Sequence, residues 1–225
     1  MQIIFCNYTY IYEKINILKY LFKEEINLII KTIIAGMYEE NCYLVMNEDT
    51  KELAIIDPGG QPSLIIKEIE KLNGKPKFVL LTHGHMDHVD GVVELVNKLN
   101  IPFYINEIEE DFMGNGEYVF GKLPKASGYL KEGDTLTLGE DVIKVIETPG
   151  HTVGGVCFLI SDKLFTGDTL FQGSVGRSDF PGGNGRKLIK NIKGKLLPLG
   201  DDIEVYPGHG DASTIGYEKR MNPYL

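Results

Sequence analysis

Every histidine in this 225-residue chain lies just past an expected β-strand, and there are only five of them. From about Leu28 the sequence alternates short β-branched runs with amphipathic ones. Leu28 to Ile34, Cys42 to Met46 and Leu53 to Ile56 read as strands, the third stopping at Asp57-Pro58-Gly59-Gly60. Pro62 opens a helix that carries Leu64, Ile65, Ile69 and Leu72 at helical spacing. Lys77 to Leu81 reads as a buried strand, and Gly91 to Leu99 as a second amphipathic helix. Val142 to Glu147, Val156 to Ile160 and Lys163 to Phe165 are expected strands, the last two joined by a hairpin turn at Ser161-Asp162. A helix is predicted over Arg186 to Leu197 and a final strand over Ile203 to Tyr206. Strand–helix alternation mixed with hairpins defines an α/β layered class.

The five histidines punctuate that pattern. Thr82-His83-Gly84-His85-Met86-Asp87-His88 follows one expected strand and precedes a helix, the kind of turn where α/β proteins place their sites. His151 follows Thr148-Pro149-Gly150, His209 follows Tyr206-Pro207-Gly208, and Asp168 closes Phe165-Thr166-Gly167-Asp168. Three imidazoles and a carboxylate within six residues repel one another if charged and lose hydration if buried without partners. Neutral imidazole and carboxylate are natural ligands for zinc and other borderline transition metals. His83 and His85, two apart on an extended loop, can point to one side, while Asp87 and His88 turn towards a second position. With His151, Asp168 and His209 there are seven ligand candidates, more than the four one zinc needs. Two metals sharing a carboxylate would use them fully. Metals about 3.5–4 Å apart can hold a bridging water, lower its pKa towards roughly 7 and polarise a carbonyl. That arrangement suits hydrolysis.

Composition excludes other classes. The formal charge is −9 and no basic run occurs, which argues against a nucleic-acid partner. A chain of this length buries roughly 70–75% of its unfolded surface and needs no disulfide staple. Cys6, Cys42 and Cys157 are odd in number, widely spaced and set in apolar segments, as expected of reduced thiols in a cytoplasmic protein. The apolar first 30 residues lack the basic start of a signal peptide and are interrupted by Glu13, Lys14, Lys19, Lys23, Glu24 and Glu25. No stretch approaches the roughly 18 apolar residues of a membrane span. Residues 1–27 read as an extension, either an added helix over Ile11 to Phe22, a disordered segment or an over-long start assignment. Residues 28–225 form the expected domain.

In order along the chain, Thr-His-Gly-His-Met-Asp-His, Thr-Pro-Gly-His-Thr, Thr-Gly-Asp-Thr-Leu and Pro-Gly-His-Gly resemble the motifs of the metallo-β-lactamase superfamily. The resemblance runs from about Leu28 to the C-terminus and includes Asp57 and Asn41-Cys42-Tyr43-Leu44-Val45. It implies an αββα sandwich, two sheets back to back with helices outside and the metals at one edge. It also implies that His83, His85 and His151 hold one metal, that Asp87, His88 and His209 hold the second, and that Asp168 bridges them. Asp57 would brace the metal loop by hydrogen bonds.

Within that superfamily Gly176-Arg177-Ser178-Asp179-Phe180-Pro181-Gly182-Gly183 and the tail Tyr217 to Leu225 resemble the short bacterial glyoxalase II-like hydrolases. The resemblance implies cleavage of a hydroxyacylglutathione thioester by a metal-bridging hydroxide, with two divalent ions, zinc first and iron or manganese also accommodated. Asp87 could shuttle the proton. Full-length glyoxalase II continues into a helical domain that supplies glutathione contacts. Only 16 residues follow His209 here, so a different grip on the thiol carrier is expected. Arg177 and Arg186 could meet a substrate carboxylate, or be solvated or paired to acids such as Asp179. The Gly-Arg-Ser-Asp-Phe segment also resembles the superfamily's persulfide dioxygenases, in which His83, His151 and Asp168 would hold a single iron. A lactone hydrolase and a non-catalytic metal-binding protein are the remaining alternatives.

Overall fold

The computed structural model describes residues 28–225; the expected helix at Ile11 to Phe22 and Cys6 lie outside them. Two six-stranded sheets form the frame. The first runs in the order β1 (Leu28–Ala35), β2 (Glu40–Asn47), β3 (Glu52–Ile56), β4 (Lys75–Leu80), β5 (Phe103–Ile105) and β6 (Gly128–Tyr129). The first three strands pair antiparallel, and β3 to β6 pair parallel. The helices α1 (Pro62–Lys71), α2 (Met86–Val89), α3 (Val92–Leu99) and α4 (Glu107–Met113) lie in the connections from β3 to β6.

The second sheet is ordered β14 (Ser213–Thr214), β13 (Glu204–Pro207), β10 (Lys163–Gly167), β9 (Val156–Ile160), β8 (Asp141–Glu147) and β7 (Thr135–Leu138). A small ribbon of β11 (Leu170–Phe171) and β12 (Ser174–Val175) follows β10, and α5 (Gly185–Asn191) and α6 (Ile215–Met221) complete the set.

Side-chain alternation along the strands explains why two sheets stack between two helical layers. In β2, Tyr43 and Val45 face a central core that also holds Ala54, Ile56 and Leu80 from the first sheet and Val145, Phe158 and Phe165 from the second. The other faces pack outward. Cys42, Leu44, Ile55 and Val79 meet Ile65 and Ile69 of α1 and Val92 and Leu95 of α3. Cys157, Leu164 and Val205 meet Leu188 of α5, Ile192 and Leu196 in the turn that follows it, and Ile215 of α6. The result is the expected αββα order of layers. Cys42 and Cys157 are buried free thiols.

The helix expected over Arg186 to Leu197 is shorter. It is α-helical only to Asn191, widens to a π-type turn over Ile192–Leu196 and tightens to a 3-10 turn over Leu197–Leu199. Gly194 weakens the helix and Pro198 lacks the N–H needed to continue it. Ser161 takes a positive φ of 55° in the β9–β10 turn, as a tight hairpin demands. Among the described residues no helix is long and apolar enough to cross a membrane.

Candidate metal centre

The donors leave strand ends of both sheets. Thr82 to His85 follow β4, and Asp87 and His88 sit on the single turn of α2. His151, Asp168 and His209 follow β8, β10 and β13 of the second sheet. Thr82 O accepts from Val156 N at 2.8 Å, which ties the two sheets together beside the site.

Asp57 organises the first loop from below. It ends β3 with a positive φ of 48° and is 2% exposed. Its Oδ1 accepts from Thr82 N at 2.7 Å, and its Oδ2 accepts from Thr82 Oγ1 at 2.5 Å and faces His88 Nδ1 at 3.0 Å. A carboxylate can only accept, so Thr82 spends its hydroxyl proton on Asp57 and accepts from His83 Nδ1, 3.0 Å away. His88 Nδ1 likewise carries a proton towards Asp57. His151 Nδ1 donates to the Arg177 carbonyl at 2.7 Å. In His83 and His151 the outer nitrogen therefore holds the proton and the inner Nε2 is left as a lone pair; in His88 the outer proton leaves Nε2 as the nitrogen a metal would take.

Those lone pairs converge. His85 Nδ1 lies 3.2 Å from His83 Nε2 and 3.0 Å from His151 Nε2. It can carry at most one proton, so at least one of these contacts sets lone pair against lone pair. Beside this triad, Asp87 Oδ2 is 3.3 Å from His209 Nε2 and 4.0 Å from His88 Nε2. Asp168 spans both groups: Oδ2 is 3.5 Å from His151 Nε2, while Oδ1 is 3.3 Å from His88 Nε2 and 3.7 Å from His209 Nε2. His88 Nε2 and Asp168 Oδ1 are buried with no hydrogen-bond partner. Donors left unpaired at such cost fit a divalent cation at each group, because an ion turns facing lone pairs into ligands.

Charge follows the same division. Burial and the neighbouring imidazoles push His83 well below its usual range and His85 down to about 3. Burial also lowers His151, partly offset by Asp168. These rings are neutral at pH 7, the form that binds metal. Burial disfavours the cations of His88 and His209, but nearby carboxylates outweigh it: chiefly Asp168 and Asp57 at His88, and Asp87 and Asp168 at His209. Both pKa values end above the usual range. Burial opposes ionisation of Asp168 too, yet the surrounding imidazoles hold it far below the usual carboxylate range.

Glycines allow the crowding. A Cβ on Gly208 would collide with Asp168 Oδ1 and lie 2.6 Å from His88 Cε1. Asn41 explains the value of the Asn-Cys-Tyr run: its Nδ2 donates to Pro207 O at 3.1 Å and Gly210 O at 2.9 Å, while Tyr43 Oη donates to Pro207 O at 2.6 Å. Together they clamp the His209 loop. Glu40, just before them, is fully buried 3.9 Å from His88 Nδ1 with neither oxygen hydrogen-bonded, and burial pushes its carboxyl well up. Nothing in the local sequence marks it.

The donors floor a cleft of about 520 Å³ walled by Tyr38, Met86, Tyr118, Val119, Phe171 and Phe180, with Arg177 also on its wall. Arg177 is engaged. It donates twice to Asp179 at 2.8 Å, and its guanidinium sits 3.6 Å from the Phe180 ring centroid. Arg186, expected beside it, is exposed on α5 and does not line the cleft. Leu188, two positions on and so on the opposite helix face, is the residue α5 buries.

Comparison with known proteins agrees with this architecture. The metallo-beta-lactamase superfamily profile matches residues 35–209, and the chain belongs to that family. The chain is 40% identical over 208 residues to hydroxyacylglutathione hydrolase GloC of Haemophilus influenzae, covering 87% of this chain and 97% of that one. Among solved structures, the BLEG-1 B3 metallo-beta-lactamase superposes with a TM-score of 0.81 at 34% identity, over 88% of this chain and 99% of the other. TTHA1623, solved in a di-iron-bound form, gives 0.75 at 35% identity, over 87% and 100%. The family and the His/Asp cluster together mark a metallohydrolase-type protein with a site for divalent ions.

Proposed function

We propose that the protein is a binuclear metal-dependent hydrolase that cleaves a thioester of the hydroxyacylglutathione kind. The observation that carries this reading is Asp168, whose two oxygens face two separate donor groups. In this reading His83, His85 and His151 hold one ion, Asp87, His88 and His209 the other, and Asp168 is shared. Two divalent ions there would acidify a water at neutral pH and polarise a carbonyl.

The protein's own residues supply the rest. Asp57, Thr82 and the Arg177 carbonyl hold protons on the outer ring nitrogens, so the inner ones stay available as ligands. Asp87 is more open to the cleft than Asp168, with side-chain exposures of 20% and 12%, and is placed to accept the proton released on attack. Met86, Tyr118 and Phe180 offer an apolar seat that limits water around the reacting ester. Arg177 stands at the wall, where a substrate carboxylate would compete with Asp179. Likeness to GloC over nearly all of that protein's length supports a hydroxyacylglutathione over a lactam. Zinc is the first choice of ion, although the di-iron form of TTHA1623 supports iron in the same ligand chemistry. Buried free thiols fit a reducing cytoplasm.

The test is S-lactoylglutathione cleavage by the full chain, followed by thiol release and metal content. Metal-dependent release with two ions per chain is the expected result. One iron per chain, with oxygen uptake on a glutathione persulfide and no thioester cleavage, would establish the dioxygenase alternative instead. That single-ion reading gives the Asp87, His88 and His209 group no ion to hold.

A further inference from the structure

α4 is a short helix that donates nothing to the metal centre, yet it carries a fully buried carboxylate, Glu109. No side-chain cation pairs with it among the described residues. Its partners are two backbone N–H groups: Oε1 accepts from Gly84 N at 3.0 Å and Oε2 from Gly154 N at 2.7 Å. Gly84 is the residue between His83 and His85, and Gly154 lies three positions after His151. One side chain thus grips both loops of the three-histidine group, one loop from each sheet.

The packing around α4 is built for this grip. A Cβ on Gly154 would lie 2.6 Å from both Asn106 Oδ1 and Glu109 N, and a Cβ on Gly84 would collide with the Met113 side chain. Only glycine lets both loops approach the helix closely enough to reach one carboxylate. The peptide of Gly84 also couples the directions of its two neighbours, so fixing its N–H helps set where His83 and His85 aim.

We propose that Glu109 is the positioning residue of the three-histidine group. It locks the Gly84 loop to the Gly154 loop and so holds His83, His85 and His151 at the spacing an ion requires. The proposal rests on reading those histidines as metal ligands. Glu109→Gln tests it, since an amide keeps one acceptor but turns an N–H₂ towards the other glycine N–H.

In the full chain loaded with zinc, stepwise release to a chromophoric chelator should show one of two ions weakened roughly 10–100-fold and the other unchanged. Cobalt substitution should show an altered visible spectrum for the weakened ion only. Adding E109Q to His209→Ala, which leaves the three-histidine group as the main site, should weaken the remaining ion. Wild-type affinity for both ions in E109Q, or equal loss at both, overturns the proposal. Wild-type protein that binds no ion overturns the metal reading itself, and the proposal with it. Should E109Q not fold, amide exchange in wild-type protein stripped of metal decides. Slow exchange at both Gly84 and Gly154 supports the clamp, and rapid exchange at either overturns it.

Discussion

Asp57→Asn is the most informative single change, because it alters hydrogen bonding and one buried charge while keeping the side chain's shape. Asp57 sits at φ 48°, where alanine would add about 1–2 kcal/mol of left-handed strain; asparagine adopts that region readily. The amide has one acceptor oxygen in place of two. If it keeps the bond to Thr82 N, its N–H₂ faces Thr82 Oγ1 and His88 Nδ1, which now lie 2.5 and 3.0 Å from Oδ2. The hydroxyl can rotate. The neutral His88 ring that a metal requires would then carry its proton on Nε2, the nitrogen that faces Asp87, Asp168 and His209. Loss of one buried charge-assisted bond costs about 1.5–3 kcal/mol. For a domain of this size that lowers Tm by about 3–12 °C. The wrong His88 tautomer should weaken the Asp87/His88/His209 ion by about 10–100-fold, or about 1.4–2.7 kcal/mol. Chelator competition on the folded variant reads the second figure and thermal unfolding the first. A soluble D57N chain with both ions at wild-type affinity would refute the tautomer argument.

Asp168→Ala should abolish activity and deplete both ions, as metal analysis would record; a variant retaining two ions and turnover contradicts the shared-carboxylate reading. Gly208→Ala should keep the fold by circular dichroism but lose metal, since its Cβ enters space held by Asp168 and His88; unchanged metal content would be the contrary result. Burial raises Cys157 to about 11. The unfolded chain loses this proton first, from about pH 8.5, so stability should fall by about 3 kcal/mol as pH rises to 11. Cys157→Ala should flatten that slope in denaturant titrations, and an identical slope would count against burial as its cause.

The clustering of the candidate donors was legible because histidine is scarce here and each one sits in a short motif at a strand end, where geometry is set by neighbouring sequence. The α/β layered class was legible from strand–helix alternation mixed with hairpins, whereas the αββα order came from the resemblance of the motifs, since strands such as β2 and β9 are apolar on both faces. What escaped lacks local signal. β5, β6, β7, β11, β12 and β14 have two to four residues, too few for period-two patterning, and α4 and α6 are barely two turns. Glu40 and Glu109 are two among 32 acidic residues, and only the folded chain sets them against the Asp57–His88 pair and the two glycine loops. Arg186 misled because adjacency to the Gly-rich segment says nothing about which side of α5 a residue occupies.

The cleft is assembled from two kinds of part. Its floor is anchored to strand ends, where sheet pairing holds each donor in register. Its walls come from elsewhere: Tyr38 on the β1–β2 turn, Tyr118 and Val119 on the loop after α4, and Arg177 and Phe180 beyond β12. Neither Tyr38, Tyr118 nor Val119 hydrogen-bonds a donor side chain, whereas the Arg177 carbonyl fixes His151 and Gly176 presses on Asp168. Val119 O, however, accepts from Met86 N at 3.0 Å, Gly121 N donates to Gly84 O at 3.0 Å, and the Phe120 ring lies 4.9 Å from that of His85, so only the Tyr38 wall can be rewritten without disturbing the floor. On the proposed thioesterase reading, acceptance of new acyl groups should arise through changes at Tyr38, leaving 119–121 and 176–180 as the stretches where a change in preference also disturbs the candidate donors.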